Sequence, residues 1–211
     1  MALKSNGTIV FDAGAMASGF GGSMTFIKKL TASSSATLSF VDGASSVVLD
    51  DTYPVYLFKF INMHPATNNV GFTVNFRDGS TAYDAVKTTT SFGAYHSESG
   101  SEAALGYNAG NDLAQSTANQ TLNHYNTVNA NEADSSISGY LHLFNPSSTT
   151  FVKHFMSNVN SMNQENTSRY SVNSYISGYC NVTAAIDGVQ FAMTSGNIDA
   201  GTIKLYGIKD S

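Results

Sequence analysis

Apolar residues recur at every second position through much of this chain, and helical spacing is nearly absent. Near the C-terminus Val189, Phe191 and Met193 alternate with Gln190 and Thr194, and Ile203 and Leu205 alternate with Thr202 and Lys204. Such alternation marks a strand with one buried face. The two runs flank the glycine-containing loop Ser195–Gly201 and predict an antiparallel pair with one wet side. Farther back, Val70, Phe72, Val74 and Phe76 alternate with Gly71, Thr73 and Asn75, ending at the turn Arg77-Asp78-Gly79-Ser80. With the preceding run Tyr53–Met63 this predicts a hairpin-like pair over residues 53–77. That preceding run is apolar on both faces, with Tyr56, Phe58 and Phe60 on one and Val55, Leu57 and Ile61 on the other. A strand of this kind lies at the centre of a fold or meets another surface.

Paired strands are predicted again over 137–144 and 149–159, around the turn Asn145-Pro146-Ser147-Ser148, and over 170–183. Ile-Ser-Gly-Tyr occurs at 137–140 and again at 176–179, which suggests two strands with a glycine where something large packs closely. Shorter strands fit 26–49 and 88–95. Residues 1–26, rich in Gly, Ala, Ser and Met, read as an N-terminal arm. Residues 96–136 form a long polar insertion, with a short helix expected within 101–119, and are a candidate contact surface. Together these give eight to ten strands. The expected fold is all-β: an antiparallel β-sandwich of jelly-roll type, one domain over 27–211.

Composition agrees. Only 12% of residues are charged, and 28 Ser, 20 Thr and 20 Asn take their place, residues suited to turns and outer strand faces. A net charge of −5 without a basic stripe argues against nucleic acid as a partner. No apolar run is long enough for a membrane helix, and the first residues lack the pattern of a secretory signal. Cys180 is the single cysteine and reads as a small buried hydrophobe.

Catalytic and metal motifs are lacking. His64, His96, His124, His142 and His154 show no zinc spacing, although His142 and His154 could face each other across a hairpin. Asp50-Asp51 reads as a solvated turn rather than a calcium loop, and nothing selects an acid/base pair among the carboxylates. No enzyme activity and no cofactor are expected.

The pieces Gly139–Pro146, Asp187–Phe191 and Ser195–Ile208 ("SGNIDAGTIKLYGI") resemble virion structural proteins of tailed bacteriophages of the marine and cyanobacterial type. The likeness covers about the last third of the chain, and the 53–77 stretch loosely. It implies a virion component with a jelly-roll-like domain, serving as capsid decoration, head fibre or tail appendage beside other virion proteins. Apart from the likeness, the surplus of two-faced apolar strands predicts a homo-oligomer, with a trimer as the first expectation. Assembly contacts are expected at Phe20, Tyr56, Phe58, Phe60, Phe151 and Phe155. A second reading is an adhesin for host surface glycans, with Tyr95, Tyr107 and Tyr125 as the aromatic contacts.

Overall fold

A computed structural model describes residues 3–6, 8–12, 15–16, 23–124, 128–165 and 168–210. Among these residues the chain is all-β and every strand pair is antiparallel. The strands are β1 (Leu3–Ser5), β2 (Thr8–Asp12), β3 (Ala15–Met16), β4 (Met24–Thr31), β5 (Leu38–Val41), β6 (Val55–Pro65), β7 (Phe72–Arg77) and β8 (Lys87–Ser97). They continue with β9 (Ala103–Tyr107), β10 (Gln120–Thr121), β11 (Ile137–Phe144), β12 (Lys153–Glu165), β13 (Ser168–Cys180), β14 (Gly188–Met193) and β15 (Ile198–Ile208). Where an arm was expected, β1, β2 and β3 pair in a small sheet, and β4 already begins at Met24.

Two larger sheets form a sandwich. One has eight strands in the order β4-β15-β6-β11-β12-β13-β8-β9, and the other has four in the order β10-β7-β14-β5. Numbered 1 to 8 among themselves, β4, β5, β6, β7, β10, β11, β14 and β15 run 1-8-3-6 in one layer and 2-7-4-5 in the other. The strands β12, β13, β8 and β9 widen the first layer beyond the second.

The expected pairs at 53–77 and 189–208 do not form. β6 and β14 each pass to the opposite sheet, so β6 is not bonded to β7, nor β14 to β15. Their inward residues still meet, across the layers rather than along one. Phe191 of β14 sits among Phe60, Phe58, Phe72 and Phe40, at ring-centre distances of 5.1, 5.4, 5.7 and 6.3 Å. Burying a side chain of this size contributes roughly 1.5–3 kcal/mol, and this cluster holds the two layers together.

Hairpins are present where the chain stays in one layer. β11 pairs with β12, and β12 with β13. Both repeated glycines face inward. A Cβ at Gly178 would meet Thr89 Cγ2 at 2.6 Å and the Phe155 ring at 3.1 Å, and one at Gly139 would run into the Asn158 carbonyl.

No helix forms within 101–119. Ala103–Tyr107 completes the sheet as β9 on the open edge of β8, where strand pairing outweighs weak helix propensity. The rest of the insertion caps the inner side of β8 and β13 with buried polar groups. Thr89 Oγ1 donates to Gln120 Oε1 at 2.6 Å, Leu113 N donates to Thr89 Oγ1 at 2.8 Å, and His124 N donates to Ser174 Oγ at 2.6 Å.

Candidate functional site

The outer face of the eight-stranded sheet sets this molecule apart. Because Tyr56, Phe58 and Phe60 point into the core, Leu57, Lys59 and Ile61 point out. Strand register carries this face across the sheet. Lys29, Lys204, Lys59, Tyr140, Asn158, Tyr175, Phe92 and Tyr107 stand in one row from β4 to β9. A neighbouring row runs Phe26, Tyr206, Leu57, His142, Met156, Ser177 and Thr90.

Ten large hydrophobic side chains are exposed among the described residues, and every one except Phe151 lies on this face. They are Met24, Phe26, Ile61, Phe92, Leu105, Tyr107, Tyr140, Met156 and Tyr175. Phe92 and Tyr175 stack on adjacent strands at 5.0 Å with planes 7° apart. By contrast, none of the exposed large hydrophobic side chains lies on the four-stranded sheet, whose outward Gln190 is bonded to Ser39 and outward Asn75 to Thr117 and Asn119. Exposed apolar side chains are costly in water, and here they gather on one sheet face rather than scatter over the surface.

The expected assembly residues fall elsewhere. Tyr56, Phe58, Phe60 and Phe155 are buried in the chain's own core, because the four-stranded sheet covers their face, so they cannot be assembly contacts. Phe151 is 70% exposed, on the turn between β11 and β12. Phe20 lies outside the described residues. The expected glycan contacts do not converge either. Tyr107 is on the outer face, while Tyr95 points inward and packs edge to face on Tyr170 at 5.6 Å. Tyr125 lies outside the described residues.

A groove of about 390 Å³ opens over Thr88, Thr90, His154, Met156, Gly178 and Tyr179, and no carboxylate lines it. His142 is opposite Met156, and His154 is beside Tyr179, so the two histidines do not face each other. Burial lowers the pKa of His142 and of His124. Among the described residues no three His, Cys, Asp or Glu side chains gather as a metal site. Asp50 caps a turn, and hydrogen bonds from Thr52 hold its carboxyl below the ordinary carboxylate value. Asp187 is tied to Arg77 through two contacts of 2.9 Å, and Glu132 to Arg169 at 2.8 Å.

A further cluster was invisible in the sequence. On the inner side Lys153, Cys180 and Lys87 stand in one cross-strand line, all buried. Lys153 Nζ donates to the carbonyls of Ser148, Phe151 and Val182, whereas Lys87 Nζ donates to that of Ala85. Burial pushes the Cys180 thiol up to about 12 and pulls Lys87 down to about 8.

Comparison with known protein families, with curated proteins and with solved structures finds no match.

Proposed function

We propose that this chain is a structural component of a bacteriophage virion, a jelly-roll subunit that self-associates and stands beside other virion proteins. The strand order 1-8-3-6 against 2-7-4-5 supports the jelly-roll frame, since it is the order of two nested Greek keys. The resemblance of the closing segment supports the virion setting. The observation that carries self-association is the outer face itself. Five of its exposed apolar groups, Phe92, Leu105, Tyr107, Met156 and Tyr175, sit together on β8, β9, β12 and β13. A neighbouring copy is the cover expected for such a surface in a particle built from many copies.

Sedimentation at micromolar concentration tests this. The expected species is a trimer, three times the 22.3 kDa chain mass. Replacing Phe92 and Tyr175 by Ser removes two aromatic anchors worth roughly 2 kcal/mol each, and is expected to shift the species to monomer. A wild-type chain that sediments as a monomer overturns the self-association reading. Location of the chain in the density of intact particles tests the virion setting.

A further inference from the structure

The other half of the outer face carries a different chemistry. Lys29 on β4, Lys204 on β15 and Lys59 on β6 stand directly opposite one another on three neighbouring strands. Adjacent strands are about 4.8 Å apart, and like charges placed opposite each other destabilise a sheet. Among the described residues no carboxylate pairs with any of the three. Among the described residues the ion pairs Arg77–Asp187 and Arg169–Glu132, and the His64–Asp199 contact at 3.7 Å, involve none of the three. Lys87 and Lys153 are buried, and Lys28 Nζ donates to the Ser45 carbonyl at 2.9 Å. A chain of net charge −5 therefore gathers uncompensated positive charge on a single line.

The flanking rows fit the same kind of ligand. On one side lie the hydroxyls of Thr31 and Thr202, 3.5 Å apart. On the other side Phe26, 54% exposed, packs edge to face on Tyr206 at 5.6 Å. The Lys59 ammonium is 5.7 Å from the Tyr206 ring centre, which anchors one end of the lysine line. Tyr140 continues the row beyond Lys59.

We propose that this patch binds a linear acidic polysaccharide, laid across the strands along Lys29, Lys204, Lys59 and Tyr140. Each sugar unit of such a polymer can bring a carboxylate or sulfate to an ammonium, hydroxyls to the threonines, and an apolar ring face to an aromatic. The ammonium line beside an aromatic row matches all three. Nucleic acid fits less well, because three lysines neutralise few phosphates and the acidic remainder of the chain repels the rest. The proposal goes beyond the assembly reading and uses β4, β15, β6 and β11 rather than β8, β9, β12 and β13.

The test is calorimetric titration of the full chain with alginate oligosaccharides and with sulfated carrageenan oligosaccharides. Neutral dextran oligosaccharides and single-stranded oligothymidylate serve as comparisons. Binding is expected for at least one acidic glycan, weakening as salt is raised, and not for dextran. Each of Lys29→Gln, Lys59→Gln and Lys204→Gln is expected to weaken it about threefold, and the triple variant more than about tenfold. Phe26→Ser is expected to weaken it as well. The triple variant is also expected to melt higher than the wild type, since repulsion is relieved, which shows an intact fold. Its sedimentation should be unchanged, while Phe92→Ser should keep the glycan affinity. No binding of either acidic glycan, undiminished binding by the triple variant, or tighter binding of oligothymidylate overturns the proposal.

Discussion

Replacing Lys87 by Met should make this protein more stable at neutral pH. The side chain is fully buried, and its ammonium donates to one carbonyl, Ala85 O at 2.9 Å. Burial is the main cause that lowers its pKa from 10.5 to about 8, with Cys180, Asp84 and Asp78 pulling weakly the other way. One pKa unit is worth about 1.4 kcal/mol, so keeping Lys87 charged in the fold at pH 7 costs up to about 3 kcal/mol. Methionine retains the apolar stem and removes the charge, but it leaves the Ala85 carbonyl without its donor, a loss of about 1 kcal/mol. The expected net gain is up to about 2 kcal/mol.

The sign of the pH dependence follows from the depressed pKa. The unfolded chain binds a proton that the folded chain does not between about 8 and 10.5, so Lys87 raises stability as pH rises through that window. The full penalty is present below pH 8, and the advantage of the variant should shrink by about 1 kcal/mol between pH 7 and pH 9. Cys180, raised from 9.0 to about 12, works in the opposite direction above pH 9; Lys87 itself pulls that thiol down, so the comparison stops at pH 9, where the folded thiol keeps its proton in both proteins and its contribution cancels. Urea denaturation of both proteins at equal concentration, at pH 7 and pH 9, measures the two gaps. A variant less stable than the wild type at pH 7, or a gap that does not change with pH, would refute the reasoning.

Four further outcomes are expected. Phe191→Ala empties the contact point of four phenylalanine rings and should cost about 4 kcal/mol in urea denaturation, while a loss below 1 kcal/mol would mean the layers are held elsewhere. Gly178→Ala forces a methyl against Thr89 and Phe155 and should cost about 2 kcal/mol. Gly43→Ala meets no neighbour and should cost only about 1 kcal/mol, through its φ of +73°. Buried Cys180, with its thiol pushed up to about 12, should resist a thiol reagent at pH 8 until denaturant is added, and rapid labelling of the native protein would contradict its burial.

Alternation along the chain was a reliable guide to which way side chains point. Val189, Phe191 and Met193 face the core, as do Ile203 and Leu205, and Cys180 is buried. Alternation does not say which strand is the neighbour. A loop of a few residues can turn back within a sheet or cross to the facing one, and β6–β7 and β14–β15 took the second route. It also misjudged Tyr56, Phe58 and Phe60, since a strand greasy on both faces does not reveal which face its own partner sheet will cover. The lysine row was illegible because Lys29, Lys59 and Lys204 meet only through register across three strands. The buried lysines were equally hidden, since Lys87 precedes a threonine run that reads as solvent-facing.

The crossings between layers have a kinetic consequence. Neither sheet can be completed while the other is absent, because β5, β7 and β14 alternate along the chain with β4, β6, β8 and β15. Distant segments must meet before much apolar area is gained, so refolding should be slow, in the millisecond-to-second range typical of such topologies. A stopped-flow trace complete within microseconds would be incompatible with this wiring, and half a molecule cut between β10 and β11 should have no folded state of its own.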